Sequence, residues 1–157
     1  MNGLMNFIKD NFSAFVEVMS FIPSEFQIWH ASEVAILVLI LMFALAVIFL
    51  CNRWMKKYKL GITASVLLTF LVLSLTLGLT GFFFSIPRLF ANMFDSFLVV
   101  CIGSPVFNLV LGVFASLGHR LRNNHPIAGT ILLFGTGLLF AYVLFTTFIV
   151  FALRLYN

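Results

Sequence analysis

Charged residues are scarce in this sequence, and their scarcity excludes most soluble folds. Only 9% of the 157 residues are Asp, Glu, Lys or Arg, and 62% are apolar. An ordinary soluble domain carries about 25% charged residues. A small globule exposes too much of its surface to hide so many apolar side chains in one core. A lipid bilayer removes that difficulty, so the composition predicts a membrane protein.

Cysteine is nearly absent as well, and this excludes a disulfide framework. The two cysteines, Cys51 and Cys101, fall at opposite ends of their predicted helices, so we expect no bridge between them. The three histidines, His30, His119 and His125, lie at the ends of apolar runs or in connecting segments. A zinc site needs three or four ligands on one side of the membrane, and His119 and His125 have only Cys51 as a soft companion there. We therefore predict neither a metal nor a cofactor.

Asp, Glu, Lys, Arg and His are missing from the interior of every long apolar run. Proton relays and ion-coupled pumps usually keep such a group at membrane depth. The sequence also contains no Walker lysine loop, no GxGxxG fingerprint and no GxSxG nucleophile elbow. These absences favour a protein that is not an enzyme. The one cluster available for catalysis near the interface is His119, Arg120, Arg122 and His125.

What the chain does have is four apolar runs of spanning length, which is about 20 helical residues. We expect membrane spans at about 31–51, 60–84, 97–117 and 127–153. The predicted fold is all-α: a polytopic membrane protein in which residues 25–157 form a four-helix transmembrane domain.

The N-terminal segment has a different pattern. Within residues 4–22, apolar side chains recur every three or four positions, and polar ones such as Lys9, Asp10 and Glu17 fill much of the rest. This period is typical of a helix with one apolar face. We predict an amphipathic helix within residues 1–24 that lies in the membrane interface. Docking of the same face on a partner protein fits the pattern equally well.

Cations are concentrated in two of the connecting segments. Residues 52–59 and 118–126 hold six of the nine Lys and Arg residues. Cytoplasmic loops carry such an excess, so both segments are predicted to be cytoplasmic and both termini non-cytoplasmic, in an inner or plasma membrane. We expect the six cations to set the topology and to lie beside anionic lipid headgroups, with no nucleic acid as partner. They are Arg53, Lys56, Lys57, Lys59, Arg120 and Arg122.

Small and polar residues inside the runs predict where the helices pack on each other. Small residues four positions apart allow close approach of two helices, and a buried amide or hydroxyl needs a partner in hydrocarbon. The predicted packing residues are Ser65, Thr69, Ser74, Gly78, Asn108, Gly112, Ser116 and Tyr142. Gly103 and Pro105 mark a possible break or kink in the third run, because proline removes a backbone hydrogen bond.

Three classes of function are compatible with these features. The favoured one is a non-catalytic structural or assembly subunit of a larger membrane complex, such as a secretion, conjugation or respiratory-type assembly. Its partners would be the bilayer and other membrane-protein subunits, in a homo- or hetero-oligomer. The alternative is a small oligomeric channel or facilitator for ions or small polar solutes, suggested by the hydroxyl-rich second run and by Pro105. A membrane-embedded enzyme ranks last.

Overall fold

The computed structural model describes residues 2–20, 31–85, 100 and 102–156, and these residues are helical or lie in short turns. The described residues contain no strand, so the expected all-α class is confirmed. Predictions that concern residues 21–30, 86–99 and Cys101 lie outside the described residues. In chain order the long helices are α1 (Asn2–Ser20), α2 (Ala31–Lys57), α3 (Ile62–Ser85), α4 (Pro105–Asn124) and α5 (Pro126–Tyr156).

Among the described residues, three helices are long and apolar enough to cross a membrane. The qualifying stretches are Val34–Lys57, Ile62–Thr80 and Pro126–Phe148, which match the first, second and fourth predicted spans. The described part of the third predicted span lies in α4 and just before it, and α4 is not among the three. Three apolar helices identify a membrane-embedded protein; the predicted count of four spans is not confirmed.

Helix α2 continues through the first basic segment, which we had predicted to be a loop. It ends at Lys57, and the backbone then closes the helix with two reversed hydrogen bonds: Lys59 N–H donates to the Lys56 carbonyl (3.4 Å) and Leu60 N–H to the Met55 carbonyl (3.2 Å). This is the Schellman pattern, which needs a left-handed residue at the turn. Lys59 supplies it with φ of 48°. The loop between α2 and α3 is therefore only a few residues long.

Helix α4 likewise extends through most of the second basic segment. A single residue, His125, separates it from α5. The hydrogen-bond ladder is almost unbroken there, because His125 N–H donates to the Leu121 carbonyl (2.6 Å) and Gly129 N–H donates to the His125 carbonyl (3.0 Å). Pro126 opens α5 at a position where its missing N–H costs nothing. The cations of this segment therefore project from a helix rather than from a loop.

The chain divides into two compact units, and each of the helices α3, α4 and α5 contributes one part to each unit. Unit 1 comprises residues 1–28, 74–106 and 143–157, and unit 2 comprises residues 29–73 and 107–142. In unit 1, Phe15 and Met19 of α1 are buried, and the Thr146 hydroxyl donates a hydrogen bond to the Met19 sulfur (3.4 Å). Helix α1 therefore packs on its own chain through the C-terminal half of its apolar face.

Gly103 makes the docking of α1 possible. A methyl group added at Gly103 would lie 2.5 Å from the Asn11 carbonyl oxygen and would overlap the Cβ of Phe15. The backbone of α1 therefore approaches more closely than any side chain would permit. Ser104 follows as a bend, with its N–H donating to the Val100 carbonyl (3.2 Å), and α4 begins at Pro105.

In unit 2, the core consists mainly of aliphatic side chains from α2, α3, α4 and α5, with glycines at the closest contacts. A methyl group added at Gly112 would lie 3.0 Å from the Val66 carbonyl oxygen, and one added at Gly118 would lie 3.0 Å from Leu133 Cγ. Small residues at helix contacts are typical of membrane bundles. The buried apolar side chains are Ala44, Val47, Ile48, Cys51, Met55, Leu73, Leu111, Ala115, Leu133, Phe140 and Ala141.

Helix α3 is apolar on its exposed face as well as on its buried one. The buried face carries Ser65 and Thr69 followed by Leu73 and Leu77, and leucines also recur at every fourth position on the opposite, exposed face. A helix in a water-soluble protein turns its apolar face inward. The outward leucines of α3 are accounted for by contact with lipid. They are Leu67, Leu71, Leu75 and Leu79.

Candidate functional site

The most specific polar contact between distant parts of unit 2 joins Asn52 near the end of α2 to His119 near the end of α4. Asn52 Oδ1 lies 2.6 Å from His119 Nδ1. An amide oxygen only accepts hydrogen bonds, so Nδ1 carries the proton and a neutral ring is protonated next at Nε2. Asn52 is only 7% exposed, and His119 is half-buried. The pair therefore fixes both the tautomer and the orientation of the imidazole.

Burial and nearby positive charge together favour the neutral form of this imidazole. Burial lowers the pKa of His119 below its ordinary value of 6.5, and the nearby charges of Arg120, Arg122 and Lys56 lower it further. Both effects disfavour the imidazolium form. Residues 52–59 and 118–126 contain no carboxylate to oppose them.

A close backbone contact between α4 and α5 sets the position of Arg120 and Arg122. A methyl group added at Gly129 would overlap the backbone nitrogen and Cα of Arg122. Only glycine permits two backbones to approach this closely. The last turn of α4 is therefore held against the first turn of α5, and the side chains of Arg120 and Arg122 project from a fixed base.

The six cations predicted to contact headgroups all have exposed side chains. Four of them extend from the end of α2 or from the turn that follows it, and two from the last turns of α4. The Lys57 ammonium lies 5.4 Å from the centroid of the Tyr58 ring, within the range of a cation–π contact. The structure thus places lysines, arginines and one tyrosine at the same end of unit 2's helices.

The residues predicted to mediate helix packing are mostly inside the protein. Ser74 is partly buried, and the side chain of Tyr142 is 47% exposed. Gly112 meets Val66 and Phe70 of α3. Buried side chains or backbones are found at Ser65, Thr69, Gly78, Gly103, Asn108, Gly112 and Ser116.

Several threonine hydroxyls donate back to their own helix. Thr69 donates to the Ser65 carbonyl (2.9 Å), Thr136 to the Leu132 carbonyl (2.8 Å) and Thr147 to the Val143 carbonyl (2.7 Å). Each bond spans one helical turn, the usual way for a hydroxyl to be satisfied inside a helix. The donor of each of these hydroxyls is therefore used within its own helix.

Sequence reasoning missed the most informative contacts. We had placed His119 in a connecting segment, and Asn52 had no assigned role. The contact joins residues 67 positions apart, so no local period could reveal it. One signal was present: Asn52 is the first polar residue after an uncharged run, where a buried amide would need a partner. No comparable feature of the sequence indicated the contact of Phe15 with Gly103.

Within the part of the chain that the structure describes, no group of three or more His, Cys, Asp or Glu side chains could hold a metal ion. The chain matches no known family model, and no curated protein or solved structure shows significant similarity to it. The function must therefore be inferred from the geometry itself.

Proposed function

We propose that this chain is a non-catalytic structural or assembly subunit of a larger membrane complex. The observation that carries the proposal is the divided surface of α1. Its C-terminal half packs into unit 1 through Phe15 and Met19, whereas large apolar side chains in its N-terminal half stay exposed. Packing on unit 1 fixes the helix, and the remaining apolar surface is available to another subunit. The exposed side chains are Leu4, Met5, Phe7 and Ile8.

The proposed topology has four crossings, with both termini on the non-cytoplasmic side. In unit 1, α1 contacts Gly103 and Thr146. Gly103 lies near the start of the third predicted span, after the non-cytoplasmic connection from the second span. Thr146 lies in the last third of the fourth predicted span, before the non-cytoplasmic C-terminus. In unit 2, Asn52 meets His119, and the cation rule predicts that both are cytoplasmic. The first contacts thus join α1 to the non-cytoplasmic halves of the third and fourth predicted spans, and the second joins two segments that are both assigned to the cytoplasm. These contacts support α4, with the residues before it, as the remaining crossing.

Accessibility of single cysteines tests the topology. In a variant lacking Cys51 and Cys101, Ser13→Cys on α1 and Lys57→Cys on α2 each place one thiol at an exposed position. In intact cells, a membrane-impermeant maleimide should label Ser13→Cys and should reach Lys57→Cys only after permeabilisation. Labelling of Lys57→Cys from outside would reverse the proposed orientation.

The threonine hydroxyls that donate to carbonyls of their own helices favour a subunit over a channel. A polar pathway needs hydroxyl and amide groups that are free to bind the passing solute. Thr69, Thr136 and Thr147 are buried and donate to their own helices instead. The hydroxyl donors of these threonines are therefore satisfied within single helices and are not offered to a passing solute.

Photo-crosslinking tests the subunit role. A photoreactive amino acid in place of Phe7 should crosslink in native membranes to one discrete protein, whereas the same amino acid in place of Leu71 should crosslink mainly to lipid. Both positions are exposed and apolar, but only Phe7 belongs to the face assigned to a partner. Lipid adducts alone from Phe7, together with a lone monomer after mild detergent extraction, would reject the subunit role.

A further inference from the structure

The helix ends of unit 2 collect positive charge that no acidic residue in the same segments balances. Six cations stand in residues 52–59 and 118–126, and neither segment contains Asp or Glu. Like charges at short range repel one another, and a nearby anion would relieve that repulsion. The electrostatic free energy of this group of cations is therefore lowest when an anion lies among them.

The hydrogen bond between Asn52 and His119 selects which of these cations act together. It ties the end of α2 to the end of α4. Lys56 lies one helical turn beyond Asn52, and Arg120 and Arg122 follow His119 within the same helix end. The charges of all three cations also act on the imidazole. One of these cations comes from α2 and two come from α4, so the group exists only because the helices are joined. Its backbone is firm, because Gly129 of α5 packs directly against Arg122.

We propose that Lys56, Arg120 and Arg122, with His119 positioned by Asn52, form a binding site for a phosphate-type anion. The anion is either the phosphate of an acidic lipid headgroup or free phosphate. Arginine presents parallel N–H donors that match phosphate oxygens, and lysine adds a mobile point charge. The imidazole contributes Nε2, which gains a proton and becomes a further donor as the anion enters.

Anion binding and protonation of His119 are linked. Without an anion, burial and three cations keep the ring neutral. A bound phosphate cancels part of that positive charge, which raises the pKa of His119. By the same linkage, the protonated ring strengthens the binding of the anion. For the phosphate of a lipid headgroup, whose charge is constant over this pH range, the site therefore holds its ligand more tightly as the pH falls. In the part of the chain that the structure describes, the charged groups that act on this ring are Arg120, Arg122 and Lys56.

The inference rests on the proposed membrane placement of unit 2 and does not depend on the subunit role. A failure of the crosslinking experiment above leaves it untouched. Conversely, the experiment below follows one histidine in the purified chain, so its failure leaves the subunit role untouched.

The test is a pH titration of the histidine side chains by NMR, with the full chain in lipid nanodiscs and a buffer free of phosphate. Three conditions are compared: phosphatidylcholine discs, discs that also contain phosphatidylglycerol, and phosphatidylcholine discs with added inorganic phosphate. His125 is the matched control, because it is exposed, lies in the same segment and follows α4 directly. A diffuse surface charge shifts both histidines upward alike, whereas a built site shifts His119 further.

We expect the titration midpoint of His119 to rise more than that of His125 in the discs that contain phosphatidylglycerol. An excess shift only with inorganic phosphate would assign the site to free phosphate and would support the same chemistry. Equal shifts of the two histidines, or no shift of His119 in either condition, would overturn the proposal. This comparison needs no variant and does not depend on a mutant's folding.

Substitutions then locate the site. Arg120→Gln combined with Arg122→Gln should abolish the excess shift of His119 while the shift of His125 remains. Asn52→Ala should reduce the excess shift of His119, because the imidazole loses its hydrogen-bond partner. Asn124→Ala, at an exposed position at the end of α4, should leave the excess shift unchanged. An unaltered excess in the arginine double variant would also overturn the assignment.

Discussion

Units 1 and 2 are held together by different kinds of contact. In unit 1, helix α1 is fixed by the volume of a buried phenylalanine against a glycine, and by a weak hydrogen bond to a sulfur. In unit 2, α2 and α4 are joined by a short hydrogen bond between an amide and an imidazole, surrounded by cations. Packing of the first kind depends on shape and hardly on pH. A contact of the second kind depends on protonation.

This difference separates a contact that depends on close packing from one that depends on charge. Dispersion and close packing act wherever backbones can approach, in lipid as in water. A polar contact near charged headgroups responds to its ionic surroundings, because charges interact strongly when partly desolvated. The docking of α1 in unit 1 should therefore respond little to the ionic surroundings, whereas the contact between Asn52 and His119 in unit 2 should respond to them. Four perturbations test this contrast, in order of decreasing expected effect.

The largest effect is expected from Phe15→Ala in unit 1. Phe15 is fully buried, and removal of such a ring costs about 3–5 kcal/mol because it leaves a cavity. Phe7→Ala is the matched control, since Phe7 lies on the same helix and is 44% exposed, and it should cost less than about 0.5 kcal/mol. Unfolding in mixed micelles with increasing SDS measures both. Equal costs would mean that α1 is not docked as described.

The glycine contacts should rank next. Gly103→Ala in unit 1 and Gly129→Ala in unit 2 each place a methyl group against a backbone, at a cost of about 1–3 kcal/mol from overpacking. Gly135→Ala, with nothing within 4 Å of the added methyl, should instead be neutral or stabilising by up to about 1 kcal/mol. Thermal unfolding in detergent distinguishes the three variants. If all three behaved alike, the close backbone approaches would be contradicted.

The contact between Asn52 and His119 should contribute less. A double-mutant cycle with Asn52→Ala and His119→Ala should give a coupling free energy of about 1 kcal/mol, typical of one net hydrogen bond. The exposed pair Asn123→Ala and His125→Ala should show none. A coupling near zero for the first pair would remove the contact that distinguishes unit 2.

The smallest effect is the dependence of stability on pH. The folded state lowers the pKa of His119, so the unfolded chain binds its proton more readily. Stability must therefore fall as the pH drops through the ordinary histidine value of 6.5, and the loss is complete below the lowered folded pKa. Thermal unfolding at a series of pH values should show this slope in the wild type and in His125→Gln, but not in His119→Gln. An unchanged slope in His119→Gln would assign the effect to another group.

The predictions that succeeded from sequence depend on composition and local period. Uncharged runs of about 20 residues predict spanning helices because hydrocarbon demands internal backbone hydrogen bonds. Three such helices are present among the described residues. The loop predictions were less accurate, since α2 and α4 continue through their basic ends. Cations suit the C-terminal turns of helices, so a charge cluster does not by itself end one.

The candidate site was only half visible in the sequence. Arg120, Arg122 and Lys56 stood out as cations, but their grouping around His119 depends on a contact between α2 and α4. The docking of α1 was similarly hidden. Its apolar face was predicted, yet nothing in the period of residues 4–22 shows that Phe15 packs against Gly103 while Phe7 remains exposed.

The order of the amino acids determined by itself that this protein is helical, is embedded in a membrane and carries its cations at the ends of apolar runs. Those properties follow from transfer free energies and from hydrogen bonds within single helices, which act over a few neighbouring residues. Only the tertiary structure decided which helix ends meet, which half of α1 is buried and which histidine lies among arginines. Those choices depend on shape and charge matching between residues that are far apart in the chain, and no local pattern encodes them.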